Sequence, residues 1–318
     1  MTVETRPLGS SGIEVAPLAL GGNVFGWTAD EETSFAILDA FVDAGGNMID
    51  TADVYSAWVD GHNGGESETV IGRWLKRDPS KRDKVVIATK VGFMAGLKPE
   101  TIAPACDASL QRLGVDVIDL YYHHKDDPSV PLVDSLGAMD ELVRAGKVRT
   151  IGLSQYSADR LDEAMRTTEG SGFARPCALQ TWYNLVEREK LEGPLMEAAL
   201  ANGLGIIPFY GLANGFLTGK YRSRDDLSKS IRGDRVEGYL EGRGIRVLEA
   251  LDQIRGETGA PLAAIALAWT SQQPGVVSTL ASATSVSQML ELNAALQLRL
   301  EPDQIRLLDN ASAEALTA

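Results

Sequence analysis

Four side chains in this sequence of 318 residues have types and placements that could do chemistry: Asp50, Tyr55, Lys90 and His124. Asp50 ends the run NMID, Tyr55 follows five residues on, Lys90 follows VVIAT, and His124 closes DLYYHH. A carboxylate, a phenol, an ammonium and an imidazole are all groups that move protons in catalysis. A desolvated lysine can also attack a carbonyl carbon. Lys90 is the least ordinary of the four, because a charge at the end of an apolar strand is costly to bury without a partner. Each residue alone has a plainer explanation: an aspartate after a strand caps or turns, a tyrosine packs on a rim, a histidine is satisfied in a core. Four of them at neighbouring strand ends argue for a site. His123 and His124 are adjacent, so on a strand they face opposite sides. With His62 the only other histidine, a multi-histidine metal centre is not expected.

The elements that must position these residues recur regularly. β-type runs occupy 17–21 (PLALG), 47–50 (NMID), 85–89 (VVIAT), 117–122 (VIDLYY), 148–153 (VRTIGL), 177–181 (CALQT), 205–209 (GIIPF) and 276–280 (VVSTL). Their starts are about 37 residues apart, the length of one strand–helix unit. They are nearly continuous in apolar character, as strands covered on both faces are. Between them lie stretches of helical period. Residues 34–44 align Phe35, Leu38, Phe41 and Val42, with a cap region at 28–31 and Gly45-Gly46 at the end. Residues 132–145 and 246–254 follow the same period. The spacing predicts one (β/α)8 barrel domain over 1–318. A hairpin at 6–16 precedes it, a helix at 301–313 follows it, and 214–242 is a long Gly-rich excursion of the functional kind. A doubly wound sheet would need a G-x-G-x-x-G turn leading into a helix; the first strand is followed by GGNVFG instead.

In a barrel of this kind the site lies at the C-terminal strand ends. The four residues therefore share a mouth with Ser154 and Gln155, Gln180, and Phe209 and Tyr210. Trp27, Trp58 and Trp182, three of the five tryptophans, fall in the loops of that mouth. Such aromatics suit an apolar or cyclic ligand.

Composition narrows the partners. A formal charge of −14 repels polyanions, which argues against nucleic acid and anionic membrane surfaces. No run reaches the ~18 apolar residues of a membrane span, and the N-terminal residues show no secretory pattern. Two cysteines, Cys106 and Cys177, without a C-x-x-C pair, fit a reduced, cytoplasmic protein.

Seven segments in order resemble the aldo-keto reductase family, in the bacterial branch that includes potassium-channel β subunits. They are GNMIDTADVYS (46–56), GGESETVIGRWL (64–75), VIATKVG (86–92), VDVIDLYYHH (115–124), VRAGKVRTIGLS (143–154), ALQTWYNLVER (178–188) and GFLTGKY (215–221). The resemblance implies reversible reduction of an aldehyde or ketone with a nicotinamide cofactor. It maps the family's tetrad onto Asp50, Tyr55, Lys90 and His124. In that reading Tyr55 donates the proton, Lys90 lowers its pKa, Asp50 holds Lys90 and His124 orients the carbonyl.

The resemblance also implies cofactor contacts. Gly22, Asn23 and Asp50 are among the cofactor-binding residues; Ser154, Gln155 and Gln180 hold the nicotinamide carboxamide, with Gln155 standing where the family usually has Asn. Phe209 stacks on the ring. Tyr210, Gly211, Leu212, Ala213 and Lys220 follow the pyrophosphate, and Thr284 and Gln288 the adenosine end. Arg232 is the candidate cation for a 2′-phosphate, since 282–293 contains no Arg or Lys. NADPH is the expected cofactor, with NADH an alternative. Two rival functions stay open: a Schiff-base lyase or aldolase using Lys90, and a regulatory barrel that binds cofactor but acts through a partner.

Overall fold

Apolar residues at every second position of a strand must face one side and those between them the other. Here both sides are buried, so the strands are sandwiched between a filled barrel interior and an outer layer of helices. The computed structural model describes residues 3–229 and 233–313. The barrel strands are β3 (Leu18–Gly21), β4 (Met48–Asp50), β5 (Val86–Val91), β6 (Ile118–His123), β7 (Val148–Ser154), β8 (Ala178–Trp182), β9 (Gly205–Phe209) and β10 (Thr279–Ala281). All neighbouring pairs are parallel, in the order β10-β3-β4-β5-β6-β7-β8-β9. Val277 N donates to Ile206 O at 3.0 Å and Ile206 N to Gly275 O at 2.9 Å, which closes β9 towards β10. The fold is a (β/α)8 TIM barrel.

The predicted hairpin is present as β1 (Arg6–Pro7) and β2 (Glu14–Val15), paired antiparallel. Its Leu8, Ile13 and Val15 join Ala19, Met48, Val86, Ala88, Leu120, Tyr122, Ala178, Ile207 and Leu280 in the barrel interior. Gly152 makes room there: a β-carbon on it would lie 2.5 Å from the Tyr122 ring.

The outer helices are α1 (Glu31–Asp43), α2 (Glu66–Arg77), α3 (Pro99–Leu113), α4 (Leu132–Arg144), α5 (Ala158–Ser171), α6 (Pro194–Ala201), α7 (Arg243–Thr258), α8 (Leu262–Ser271) and α9 (Val286–Asn293). Helix α1 starts at Glu31, earlier than its apolar period, because the Asp30 side chain accepts from Thr33 N at 2.8 Å and caps it. Its fully buried apolar residues are Ile37, Leu38 and Phe41, whereas Phe35 and Val42 flank them half-buried. The last barrel strand starts three residues later than predicted; Val276 makes only an isolated bridge to Ile206. The C-terminal helix, α10 (Pro302–Ser312), carries Asp309, whose Oδ1 accepts from Trp269 Nε1 at 3.0 Å. The described residues of the excursion at 214–242 include short 3-10 turns at Arg224–Lys229, Gly233–Arg235 and Glu237–Tyr239.

Candidate active site

The two-residue period that fills the barrel also aims the functional side chains. Val86, Ala88 and then Lys90 share one face of β5; Leu120, Tyr122 and then His124 share one face of β6. Asp50 follows Met48 in the same way, and Gln180 follows Ala178. The interior floor is mainly apolar, and the charged side chains stand where the strands end.

Lys90 Nζ sits at the centre. It donates to Asp50 Oδ1 at 2.5 Å, to Thr51 O at 2.7 Å and to the Tyr55 hydroxyl at 2.8 Å. Tyr55 OH is 3.4 Å from Asp50 Oδ1, to which it donates, and Gln180 Nε2 donates to Asp50 Oδ2 at 2.8 Å. The His124 ring lies 5.9 Å from the Tyr55 ring, centroid to centroid, nearly edge-on. Lys90 and Asp50 are fully buried and His124 nearly so, whereas Tyr55 is half-buried. All four residues named from the sequence meet. His123 turns outward, its Nδ1 2.9 Å from Tyr156 OH.

The electrostatics differ from the expectation in one respect. Lys90 was to lower the Tyr55 pKa, but burial and the Asp50 carboxylate hold the phenol well above its ordinary value. The physical reason is that Lys90 is committed to Asp50, so the tyrosine senses a desolvated ion pair and not a bare cation. Burial lowers Lys90 from its usual value, with Asp50 opposing. Burial, Lys90 and Lys125 push His124 down to about 2, so its imidazole is neutral at physiological pH.

Aromatic rings surround this centre. Trp27 and Trp58 pack edge-to-face at 5.8 Å, Trp58 lies 6.1 Å from Tyr55, and Phe93 lies 4.8 Å from His124. Trp58 is 53% exposed. Trp182 stacks on Tyr210 at 4.1 Å and donates to Glu187. A cleft of about 460 Å³ opens beside them, lined by Gln155, Ser157, Trp182, Lys190 and Phe209 among others.

The sequence model of the aldo/keto reductase family matches residues 17–313. The chain belongs to the aldo/keto reductase family. It is 32% identical to an uncharacterized oxidoreductase, YrpG, of Bacillus subtilis, over 97% of this chain and 95% of that one. It is 31% identical to a probable voltage-gated potassium channel subunit beta of Oryza sativa, over 93% and 92%. Aldo-keto reductase AMT2 of Alternaria alternata is 30% identical, over 97% and 92%.

Aldo/keto reductases use nicotinamide cofactors, and the residues at this mouth fit one. Ser154 Oγ is buried without a hydrogen-bond partner among the described residues, as are His124 Nδ1 and Asn214 Oδ1; orphaned polar atoms of this kind call for a ligand or water. Tyr210, Ala213 and Asn214 hold φ of 58°, 47° and 56°. Such backbone costs on the order of 1–3 kcal/mol per residue and persists where its surroundings enforce it. Asn184 Nδ2 does so at 3.1 Å from Tyr210 O. Within the turn Ala213 N donates to Tyr210 O at 2.8 Å and Gly215 N to Leu212 O at 2.9 Å, which holds it closed on itself.

Other predicted contacts are engaged within the protein. Gln155 Nε2 donates to His124 O at 3.0 Å, and the Gln180 nitrogen is held by Asp50. Gly22 N donates to Asp50 O at 2.7 Å and Asn23 Oδ1 accepts from Ser282. Gln288 Oε1 accepts from Thr284 N at 2.9 Å. Lys220 Nζ lies over the Tyr221 ring. Arg232 lies outside the described residues.

Two participants escaped the sequence reading. Thr51 contributes its carbonyl, which no side-chain pattern reveals. Glu68 is fully buried behind Lys90. Its signal was available: it lies three and seven positions before Ile71 and Leu75, on the apolar stripe of α2, where a charge has no ordinary place.

Proposed function

We propose that this chain reduces an aldehyde or ketone to an alcohol, reversibly, with NADPH as its cofactor and Tyr55 as proton donor. The observation that carries the reading is the saturation of Lys90: all three donors of its ammonium are taken, by Asp50, Thr51 and Tyr55. An amine held this way has no free lone pair with which to form a Schiff base, so the lyase alternative loses its nucleophile.

The bound nicotinamide supplies the hydride. Ser154 and Gln180 would hold its carboxamide, Phe209 its ring, and the turn from Tyr210 to Ala213, with Lys220, its phosphates. Thr284, Gln288 and Arg232 are assigned to the adenosine end, where Arg232 would meet a 2′-phosphate.

A carbonyl oxygen beside Tyr55 OH becomes negative as its carbon is reduced, and stabilising that charge is the main catalytic task. Tyr55, protonated throughout the neutral range, holds the proton that the alkoxide needs. The phenolate that remains is then met by Lys90 at hydrogen-bond distance. Neutral His124 orients the carbonyl and adds no charge to the site. Trp27, Trp58 and Trp182 favour an apolar or cyclic substrate. Free, buried Cys106 and Cys177 and the lack, among the described residues, of any helix able to cross a membrane support a cytoplasmic location for this one-domain enzyme.

The test is a cofactor titration with NADPH and NADH followed by a panel of aldehydes and ketones. Turnover of cyclic or aromatic carbonyls supports the reading. Tight cofactor binding without turnover would replace it by the regulatory alternative, and borohydride trapping of a carbonyl on Lys90 by the lyase.

A further inference from the structure

Behind the site lies a second group of charges. Glu68 of α2 is fully buried; its Oε1 accepts from Thr89 Oγ1 at 2.5 Å and its Oε2 from Arg112 Nε of α3 at 2.6 Å. Thr89 is the residue next to Lys90 on β5, facing outward as Lys90 faces inward. Asp53, between Asp50 and Tyr55 on the same loop, donates its backbone N–H to Lys90 O at 3.2 Å. Its carboxylate is partly buried and repelled by Glu68, while Arg112 and Lys90 attract it. Arg112 is fixed in place: it also donates to Ser109 Oγ at 3.2 Å, and its guanidinium fills the space a β-carbon on Gly65 would take, 2.4 Å from Nε. Gly65 itself holds φ of 85°.

The charges facing Asp53 are therefore Glu68 from α2, Arg112 from α3 and Lys90 from β5. Three carboxylates (Asp50, Asp53 and Glu68) share two cations. We propose that Arg112 is a positioning residue: its guanidinium neutralises the Glu68–Asp53 pair and thereby keeps Lys90 directed, as a cation, at Asp50 and Tyr55. Without Arg112, Lys90 becomes the only cation for three carboxylates, and its charge is drawn away from the phenol. Burial and Glu68 already raise the Asp53 carboxyl to about 6, so the cluster stands at the edge of taking up a proton.

This proposal rests on the reductase reading for its consequence, but its test does not. Full-length protein with carboxyl-labelled aspartate is titrated by NMR, Asp53→Asn assigning the resonance. Arg112→Met is expected to raise the Asp53 midpoint by roughly one pH unit or more, since a nearby cation lowers a carboxylate by 1–3 units. Arg112→Lys is expected to leave it near wild type. Glu68→Gln, which removes the repelling carboxylate, is expected to lower it, and covers the case in which Arg112→Met does not fold. In the kinetic arm the acid limb of kcat moves with the Asp53 midpoint in Arg112→Met and returns in Arg112→Lys. An unmoved midpoint in Glu68→Gln and Arg112→Met, or a lysine variant as displaced as the methionine one, overturns the proposal. A moved midpoint in a protein that turns over no carbonyl supports the cluster and rejects the reductase reading alone.

Discussion

The Tyr55 oxygen stands between an ammonium and a carboxylate: Lys90 Nζ donates to it at 2.8 Å, and its own proton points to Asp50 Oδ1 at 3.4 Å. The long bond to Asp50 is the one that a substrate carbonyl would replace. In the proposed reaction the phenol would give its proton to an acceptor entering the mouth and be left beside a cation.

Tyr55→Phe removes the proposed proton donor and leaves the ring. General acid catalysis contributes about 10²–10⁴-fold, so kcat should fall by that order with cofactor affinity nearly unchanged. Steady-state kinetics with a responsive carbonyl, alongside tryptophan quenching by NADPH, separates the two. Wild-type turnover in this variant would remove Tyr55 from the role.

Lys90→Met should cost stability as well as rate. It leaves Asp50 buried without its counter-ion, a change of about 3–5 kcal/mol in comparable buried pairs. Lys90→Met combined with Asp50→Asn should recover part of that stability and none of the rate. Urea unfolding of the two variants measures the difference.

Ser154→Ala has the opposite signature. The Oγ is buried without a partner among the described residues, so removing it should leave the melting temperature of the cofactor-free protein unchanged or slightly higher. Loss of one hydrogen bond to cofactor, about 1 kcal/mol, should weaken NADPH binding several-fold. A lower melting temperature with unaltered affinity would show that the hydroxyl serves the fold instead.

Stability should fall on mild acidification. His123 and His124 have folded values of about 4 and about 2, both pushed down first by burial, against about 6.5 in an unfolded chain. Below pH 6.5 the unfolded chain therefore takes up protons that the folded chain refuses. Each such group costs about 1.4 kcal/mol per pH unit until its folded value is reached. Asp53, raised to about 6, acts in the other sense and offsets part of the loss between pH 6 and 4. Melting from pH 7 to 4 should show the decline, and His124→Asn should make it shallower. Equal slopes for the two proteins would contradict the burial of that imidazole.

Trp58→Ala should discriminate among substrates. Trp58 is half exposed and touches both Trp27 and Tyr55 edge-on. An aromatic contact is worth roughly 0.5–1.5 kcal/mol beyond its area. The kcat/KM for a cyclic ketone should therefore drop up to about tenfold, and that for a small aldehyde far less. A uniform loss would mean that Trp58 only holds its loop.

Much of this protein is written locally. The strand runs and their spacing are carried by nearest-neighbour pattern, so the barrel, the hairpin and the last helix were legible before any coordinates. So was the meeting of Asp50, Tyr55, Lys90 and His124, because parallel strands of one barrel end on one side and the two-residue period decides which side chains enter it. Tertiary structure decided what depends on distance and desolvation. Only the packed site shows that Lys90 is saturated by Thr51 O and Asp50, and that burial and the Asp50 carboxylate turn the Tyr55 pKa upward where a lysine beside a tyrosine suggested the reverse. Only the crossing of α2 and α3 brings Arg112, forty-four positions away, onto Glu68. Charge and burial act through space, and neither is a property of a residue's neighbours in the chain.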